Sequence, residues 1–239
     1  MNKNIQTYPT KTELVEALSL LLESETQNSG EFHLCLSGGS TPKQWFTYLA
    51  DHYADKIPWG NIHFWWGDER CVPPDNLESN FGEAQRLLFD QVPVPSDHIH
   101  RVLGEKDPEA ALLDYEREIR EWVPFHQDIP VFDLMILGMG EDGHTASIFP
   151  NQMELLNADS ICAVATHPQS GQKRITLTGP VINQAWKVVF LVAGASKAEK
   201  IAEIHGSSSS DKVYPAGLIQ PVNGPAIWML DQPAAQLLE

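Results

Sequence analysis

The chain has 239 residues, with 32 acidic against 16 basic side chains and a formal net charge of −16. That balance argues against nucleic acid and anionic membrane as partners, because both are bound by a basic face. Hydrophobic residues make up 42% and charged residues 20%, enough for a buried core within the size of one α/β domain.

The opening Met1-Asn2-Lys3-Asn4 lacks the apolar stretch of a signal peptide. The longest apolar run, residues 188–195 with Gly194 inside it, is far too short to span a bilayer. Cys35, Cys71 and Cys162 are odd in number and have no CxxC spacing, which suits a reducing compartment. Together these features point to a cytoplasmic protein.

In chain order, Thr10 and Glu13 form a capping-box pattern ahead of Leu14, Val15, Leu18, Leu21 and Leu22, which recur at helical spacing. Phe32, Leu34 and Leu36 alternate with Glu31, His33 and Cys35, as a strand requires. Pro42 suits the first position of a helix carrying Trp45, Phe46 and Leu49. Residues 62–66 read as a further strand. Asp107-Pro108 opens a helix through Trp122, with Leu112, Leu113 and Ile119 upon it. Residues 131–137 are apolar but for Asp133 and read as a buried strand. Shorter strands are predicted at 161–165, 174–178, 187–192 and 226–230, a helix at 195–205, and a serine-rich surface loop at 206–211. This alternation predicts one domain over residues 1–239, of the α/β class: a doubly wound, mostly parallel, Rossmann-like sheet with helices on both faces.

Three predicted strand ends carry chemistry. After residues 131–137 comes Gly138-Met139-Gly140-Glu141-Asp142-Gly143-His144-Thr145-Ala146-Ser147-Ile148-Phe149-Pro150. Its glycines permit a tight turn and close approach to a ligand. Asp142 and His144 place a carboxylate and an imidazole at the sheet edge where open α/β folds bind ligands. A histidine there can take a proton near neutral pH; a histidine held only for structure is the competing reading.

The second is Ser37-Gly38-Gly39-Ser40-Thr41-Pro42, whose free backbone N–H groups at a helix N-terminus form a cradle for an anion, most naturally a phosphate. An ordinary glycine-rich turn with Thr41 as N-cap competes with it. No Gly-Lys-Ser/Thr follows, so it is not a Walker loop.

The third is Trp66-Gly67-Asp68-Glu69-Arg70-Cys71-Val72-Pro73-Pro74. Here the Arg70 fork can hold a carboxylate, a carbonyl oxygen or an imidazole; otherwise the segment is a solvated charge run. Arg174 and Lys197 are further candidate cations. Lys197 falls in the first turn of its predicted helix, where a cation opposes the helix dipole unless an anion is bound nearby.

Gly138, Gly140 and Gly143 also satisfy G-x-G-x-x-G. Glu141 and Asp142 would set negative charge against a pyrophosphate, and Pro150 comes too soon for the long helix that follows such a turn, so a dinucleotide is disfavoured. His98-x-His100 lacks a further ligand at metal spacing, and no metal site is predicted. No Gly-x-Ser-x-Gly elbow supports a serine hydrolase.

Taken together, these segments resemble the glucosamine/galactosamine-6-phosphate isomerase and 6-phosphogluconolactonase family, and its lactonase branch in particular. The resemblance covers roughly residues 34–221 and rests on the three motifs in order, followed by Arg174-Ile175-Thr176-Leu177-Thr178 and Gly194-Ala195-Ser196-Lys197. It implies hydrolysis of 6-phospho-D-glucono-1,5-lactone to 6-phosphogluconate in the oxidative pentose phosphate pathway, without a metal or organic cofactor. It further implies His144 as the base that activates water and Asp142 as the group that orients it. Arg70 would position the site and stabilise charge near the carbonyl. The substrate phosphate would rest on Gly38, Gly39, Ser40 and Thr41, with Arg174 and Lys197 adding positive charge.

The partner implied is therefore a small sugar-phosphate lactone, bound by a monomer or weak homo-oligomer. The deaminase branch typically carries an acidic residue in an Asn-Glu-Pro context shortly after the histidine. Here Phe149-Pro150-Asn151 stands there, with no carboxylate before Glu154. A non-catalytic sugar-phosphate sensor would keep the cradle and cations without needing His144 or Asp142. Two stretches depart from the lactonase pattern. Ser170-Gly171-Gln172-Lys173 stands where prolines are common, and Tyr214-Pro215-Ala216-Gly217-Leu218-Ile219 follows the family's Pro-Ala segment only loosely.

Overall fold

A computed structural model of the chain describes residues 4–27, 29–206 and 213–238. The expected loop at 206–211 lies outside these, apart from Gly206. The chain opens with strand β1 (Asn4–Tyr8), helix α1 (Lys11–Thr26), strand β2 (Phe32–Leu36) and helix α2 (Ser40–Tyr53). Strand β3 (Ile62–Trp66), strand β4 (Asp68–Arg70), helix α3 (Asn80–Ala84) and helix α4 (Pro108–Trp122) follow. A short hairpin of β5 (Phe125–His126) and β6 (Ile129–Pro130) leads into β7 (Leu134–Leu137). Then come β8 (Cys162–Thr166), β9 (Lys173–Leu177), α5 (Gly179–Gln184), β10 (Lys187–Val192) and α6 (Ala198–His205). The last elements are α7 (Pro215–Leu218), β11 (Ile227–Asp231) and α8 (Gln232–Ala235).

Local chemistry explains where these elements begin. Thr10 accepts from the Glu13 backbone N–H, and Glu13 accepts in return from Thr10 N at 3.0 Å, so the capping box starts α1 as expected. Asp107 caps α4, with Pro108 next. The start of α2 differs from the expectation: Gly39, at φ +109°, is the N-cap, so the helix begins at Ser40 and Pro42 is its third residue. The predicted helix over 195–205 begins as a 3-10 turn, Ala195–Lys197, and becomes α-helical only at Ala198.

Six strands form one sheet in the order β1-β11-β10-β7-β2-β3, with every pairing parallel. Side chains alternate across it. Leu34, Leu36, Leu134 and Ile136 pack with Leu14, Leu18, Trp45 and Phe46 of α1 and α2 on one face. Cys35, Met135, Leu137 and Phe190 pack with Tyr115, Val181 and Ile201 of α4, α5 and α6 on the other. The fold is thus α/β, doubly wound, with helices on both faces of a parallel sheet. Residues of β8 and β9 do not join that sheet. They form a second, antiparallel one with β4, in the order β4-β9-β8.

The strand order reverses between β2 and β7: the chain winds outward from β2 to β3 on one side, and from β7 to β10 and β11 on the other. Loops leaving the carboxyl ends of β2 and β7 therefore part in opposite directions and leave a crevice. The turn at 37–39 and the loop at 138–150 form its two sides.

Candidate active site

On the β2 side, the backbone at Gly38 runs so close to α3 that a Cβ there would lie 1.8 Å from Asn80 Oδ1. Only glycine fits. Lys11 Nζ donates to the Ser40 carbonyl at 3.0 Å, bringing another cation near the start of α2.

The acidic motif after β3 is not a solvated charge run. Glu69 is buried and accepts from the backbone N–H groups of Arg70, Asn80 and Phe81 at 2.7, 2.8 and 2.8 Å, and from Ser79 Oγ at 3.1 Å. Burial pushes its carboxyl up, against the lowering effect of those N–H groups. Asp68 accepts from Ser147 Oγ at 2.6 Å and faces Arg174 Nη1 at 3.8 Å. Antiparallel pairing of β4 with β9 sets Arg70 opposite Arg174. Arg70 is steadied by donating Nη1–H to the Glu78 carbonyl at 2.6 Å. The Nε–H groups of both arginines are buried and find no partner among the described residues. Burial, opposed by Asp68 and reinforced by the neighbouring Arg70, draws the Arg174 guanidinium below its ordinary range, though arginine stays charged. A buried guanidinium beside a half-buried one makes a strong demand for an anion.

On the β7 side, the loop closes on itself through Gly140 N to His144 O at 2.9 Å and Gly143 N to Gly140 O at 3.1 Å. This turn brings His144 Nδ1 within 2.5 Å of Asp142 Oδ1, which also accepts from His144 N at 3.2 Å. A carboxylate can only accept, so Nδ1 carries the proton and the neutral ring keeps its lone pair on Nε2. Burial raises the Asp142 carboxyl, but its hydrogen bond and charge interaction with His144 outweigh that, leaving it below the usual carboxylate range. A Cβ on Gly140 would lie 2.2 Å from the His144 ring, so glycine is required there as well. The Phe149 ring centroid sits 4.7 Å from that of His144 and 5.3 Å from that of His167, and the Arg174 guanidinium lies 5.6 Å from it.

These walls enclose an open cavity of about 180 Å³ lined by Ser37, Gly38, Gly39, Asp68, Arg70, Asn80, Gly138, Met139, Gly140, His144, Ala146 and Arg174. Of the residues picked out in the sequence, it gathers His144, Arg70, Arg174, Gly38 and Gly39, with Asp142 behind the imidazole. Ser40 and Thr41 lie outside its lining, the first exposed and the second buried in α2. Lys197 also lies outside, half-buried. Burial lowers its ammonium, while Glu141 and Asp142 act to raise it. Asn80 and His167 were missed by sequence reasoning. Asn80 Nδ2 donates to Asp68 O at 2.9 Å. His167 accepts at Nδ1 from Ser170 N at 3.2 Å and feels the charges of Arg174, His144, Asp142 and Arg70. Asn80 is brought in by the docking of α3 and His167 by the turn that follows β8, and no local motif marks either. Among the described residues, no group of three or more His, Cys, Asp or Glu gathers at metal-binding geometry.

A family profile for glucosamine-6-phosphate isomerases/6-phosphogluconolactonase matches residues 9–228. A Haemophilus influenzae protein named 6-phosphogluconolactonase is 43% identical over 236 residues, covering 98% of this chain and all of that one. A solved structure described as devB protein superposes with a TM-score of 0.95 at 42% identity, covering 99% of each chain. A monomeric glucosamine-6-phosphate deaminase superposes with a TM-score of 0.82 over 98% of this chain and 99% of its own, at 20% identity, which speaks for the shared fold alone.

Proposed function

Because the chain belongs to the glucosamine-6-phosphate isomerase/6-phosphogluconolactonase family, we propose that it hydrolyses 6-phospho-D-glucono-1,5-lactone to 6-phospho-D-gluconate. Full-length likeness to 6-phosphogluconolactonases makes it a hydrolase of sugar-phosphate metabolism. The observation that carries the residue-level reading is the 2.5 Å bond from His144 Nδ1 to Asp142, which leaves Nε2 as the base in a cavity that also holds the buried Arg174 and the half-buried Arg70.

In this scheme Nε2 takes a proton from water as the oxygen attacks the lactone carbonyl. Charge on the carbonyl oxygen is met by Arg70 or by N–H groups of the glycine-rich loop. The ring C–O bond then breaks, and the imidazolium returns its proton to the departing ring oxygen. Asp142 stabilises the imidazolium in between. The phosphate rests at the turn of Gly38, Gly39, Ser40 and Thr41, drawn by the α2 N-terminus and Arg174, with Lys197 adding charge at the rim. The strained ring ester is reactive enough that no metal, organic cofactor or covalent nucleophile enters the scheme. The reading is of one domain over residues 1–239, acting as a monomer or weak homo-oligomer, with the lactone as its small-molecule partner.

The deaminase alternative needs a second acid or base near His144. The cavity's other carboxylate, Asp68, is already engaged by Ser147 and faced by Arg174, which favours the lactonase branch. The test is hydrolysis of freshly made lactone by wild type and His144→Asn, with the spontaneous rate subtracted. Loss of the base lowers turnover by roughly 10²–10⁴-fold while phosphate binding survives. Wild type no faster than the spontaneous reaction overturns the reading and brings glucosamine 6-phosphate turnover or ligand sensing forward.

A further inference from the structure

We propose that Tyr214 is a positioning residue for the loop that carries His144: its ring packs against Gly143 and so holds Asp142 in register with the imidazole. The proposal rests on the reading of His144 as the base. Gly143 stands between Asp142 and His144, at φ +81°, and a Cβ there would lie 2.5 Å from Tyr214 Cδ1. The ring thus occupies the space beside the peptide that joins the two partners. Any rotation of that peptide moves both ends of the 2.5 Å bond.

The backbone reinforces the contact. Ala216 N donates to Gly143 O at 3.1 Å. Among the described residues, the other hydrogen bonds of residues 140–144 close within the loop itself. The segment at 214–216 is therefore what ties this turn to a separate element. Tyr214 is in turn fixed from α6. Its hydroxyl is hydrogen-bonded to Glu203, and Lys200 Nζ lies 5.0 Å from its ring centroid and 2.7 Å from the same Glu203 carboxylate. Packing against a rigid partner is how a catalytic bond length is held within a few tenths of an ångström.

The experiment compares wild type, Tyr214→Phe and Tyr214→Ala in two readouts. The first is the tautomer of His144 in ligand-free protein, from long-range ¹H–¹⁵N correlation at a pH where the ring is neutral. The second is kcat and KM for the lactone. The ring is the operative part, so Tyr214→Phe keeps the Nδ1–H tautomer and keeps kcat within about threefold. Tyr214→Ala loses tautomer purity and at least about tenfold in kcat, with KM little changed.

A folded Tyr214→Ala protein with wild-type tautomer and kcat overturns the proposal, as does a Phe variant that loses as much as the Ala variant. Should Tyr214→Ala fail to fold, Ala216→Pro decides. It removes the N–H that Gly143 O accepts and leaves the ring in place, so the wild-type His144 tautomer is expected; loss of tautomer purity there shows that the backbone bond and not the ring holds the turn, and overturns the proposal. The tautomer needs no turnover, so failure of the lactonase reading, seen as a wild-type rate equal to the spontaneous one, stays distinguishable from failure of this one.

Discussion

At His144 one hydrogen bond decides which nitrogen can do chemistry, and Asp142 supplies it. Asp142→Asn can present its amide N–H to Nδ1 and so favour the wrong tautomer. Turnover is expected to fall by roughly 10²-fold or more with KM little affected, measured by steady-state hydrolysis. Gly38→Ala acts differently, since its Cβ collides with Asn80, whose amide donates to the Asp68 carbonyl. On the proposed scheme the cradle shifts while His144, the proposed base, stays put, so KM is expected to rise about tenfold or more with a smaller change in kcat. Asp142, Gly143 and His144 were legible in the sequence because a tight turn makes neighbours in sequence neighbours in space. Arg70 and Arg174 could be named as cations, but their pairing across β4 and β9 could not be read, nor could Asn80 or His167. The arginine pair depends on strand pairing over about a hundred residues, Asn80 on where α3 docks, and His167 on the turn after β8.

Among the elements, α3 is anchored by a charge that the sequence disguised. Glu69 accepts from two N–H groups at the start of α3 and from Ser79. Glu69→Ala would leave those buried donors unpaired, a loss of about 2–4 kcal/mol, read as a lower urea midpoint.

A second buried polar assembly joins β2, β3 and α4. His63 Nδ1 lies 2.8 Å from His100 Nε2, His100 Nδ1 lies 2.8 Å from Glu118, and Trp65 Nε1 donates to His33 Nδ1 at 3.2 Å. Burial, with repulsion from the other histidines, draws both His33 and His63 down from 6.5 to about 4. A histidine lowered in the folded state binds fewer protons there than in the unfolded chain between those values. The stability it confers is full above about 6.5 and is lost as pH falls toward about 4. Stability against thermal unfolding should therefore fall by a few kcal/mol between pH 7 and 4.5, and His63→Gln should flatten that dependence. The sequence showed His98 and His100 only as candidates lacking a metal partner. The capping box of α1 was legible because it is local, whereas the start of α2 turned on the φ of Gly39, which no residue pattern announces.

For the whole molecule, a net charge of −16 surrounds a cavity built on two guanidinium groups. The long-range field repels an anionic lactone while the short-range field attracts it. Raising ionic strength from about 0.01 to 0.15 M shortens the screening length from roughly 30 to 8 Å. Screening of the distant acids then raises kcat/KM before salt competes at the arginines. A value that falls monotonically with salt would show that the cavity's own field governs encounter. Composition and the alternation of helices and strands made the α/β class legible. The strand order was not, because parallel pairing leaves no mark in the intervening sequence, and so the crevice between β2 and β7 emerged only from the folded chain.

The pairing of β1 with β11 has a consequence for the newborn chain. Asn4 meets Ile227, more than two hundred residues later. Of the described strands, β1 leaves the ribosome before any other and must wait for the last of them before it can be seated. Through that interval it is an open edge, able to recruit any passing strand. Its sequence, Asn4-Ile5-Gln6-Thr7-Tyr8, offers one aliphatic side chain among polar ones, a poor template for misassembly while the ribosome finishes its work.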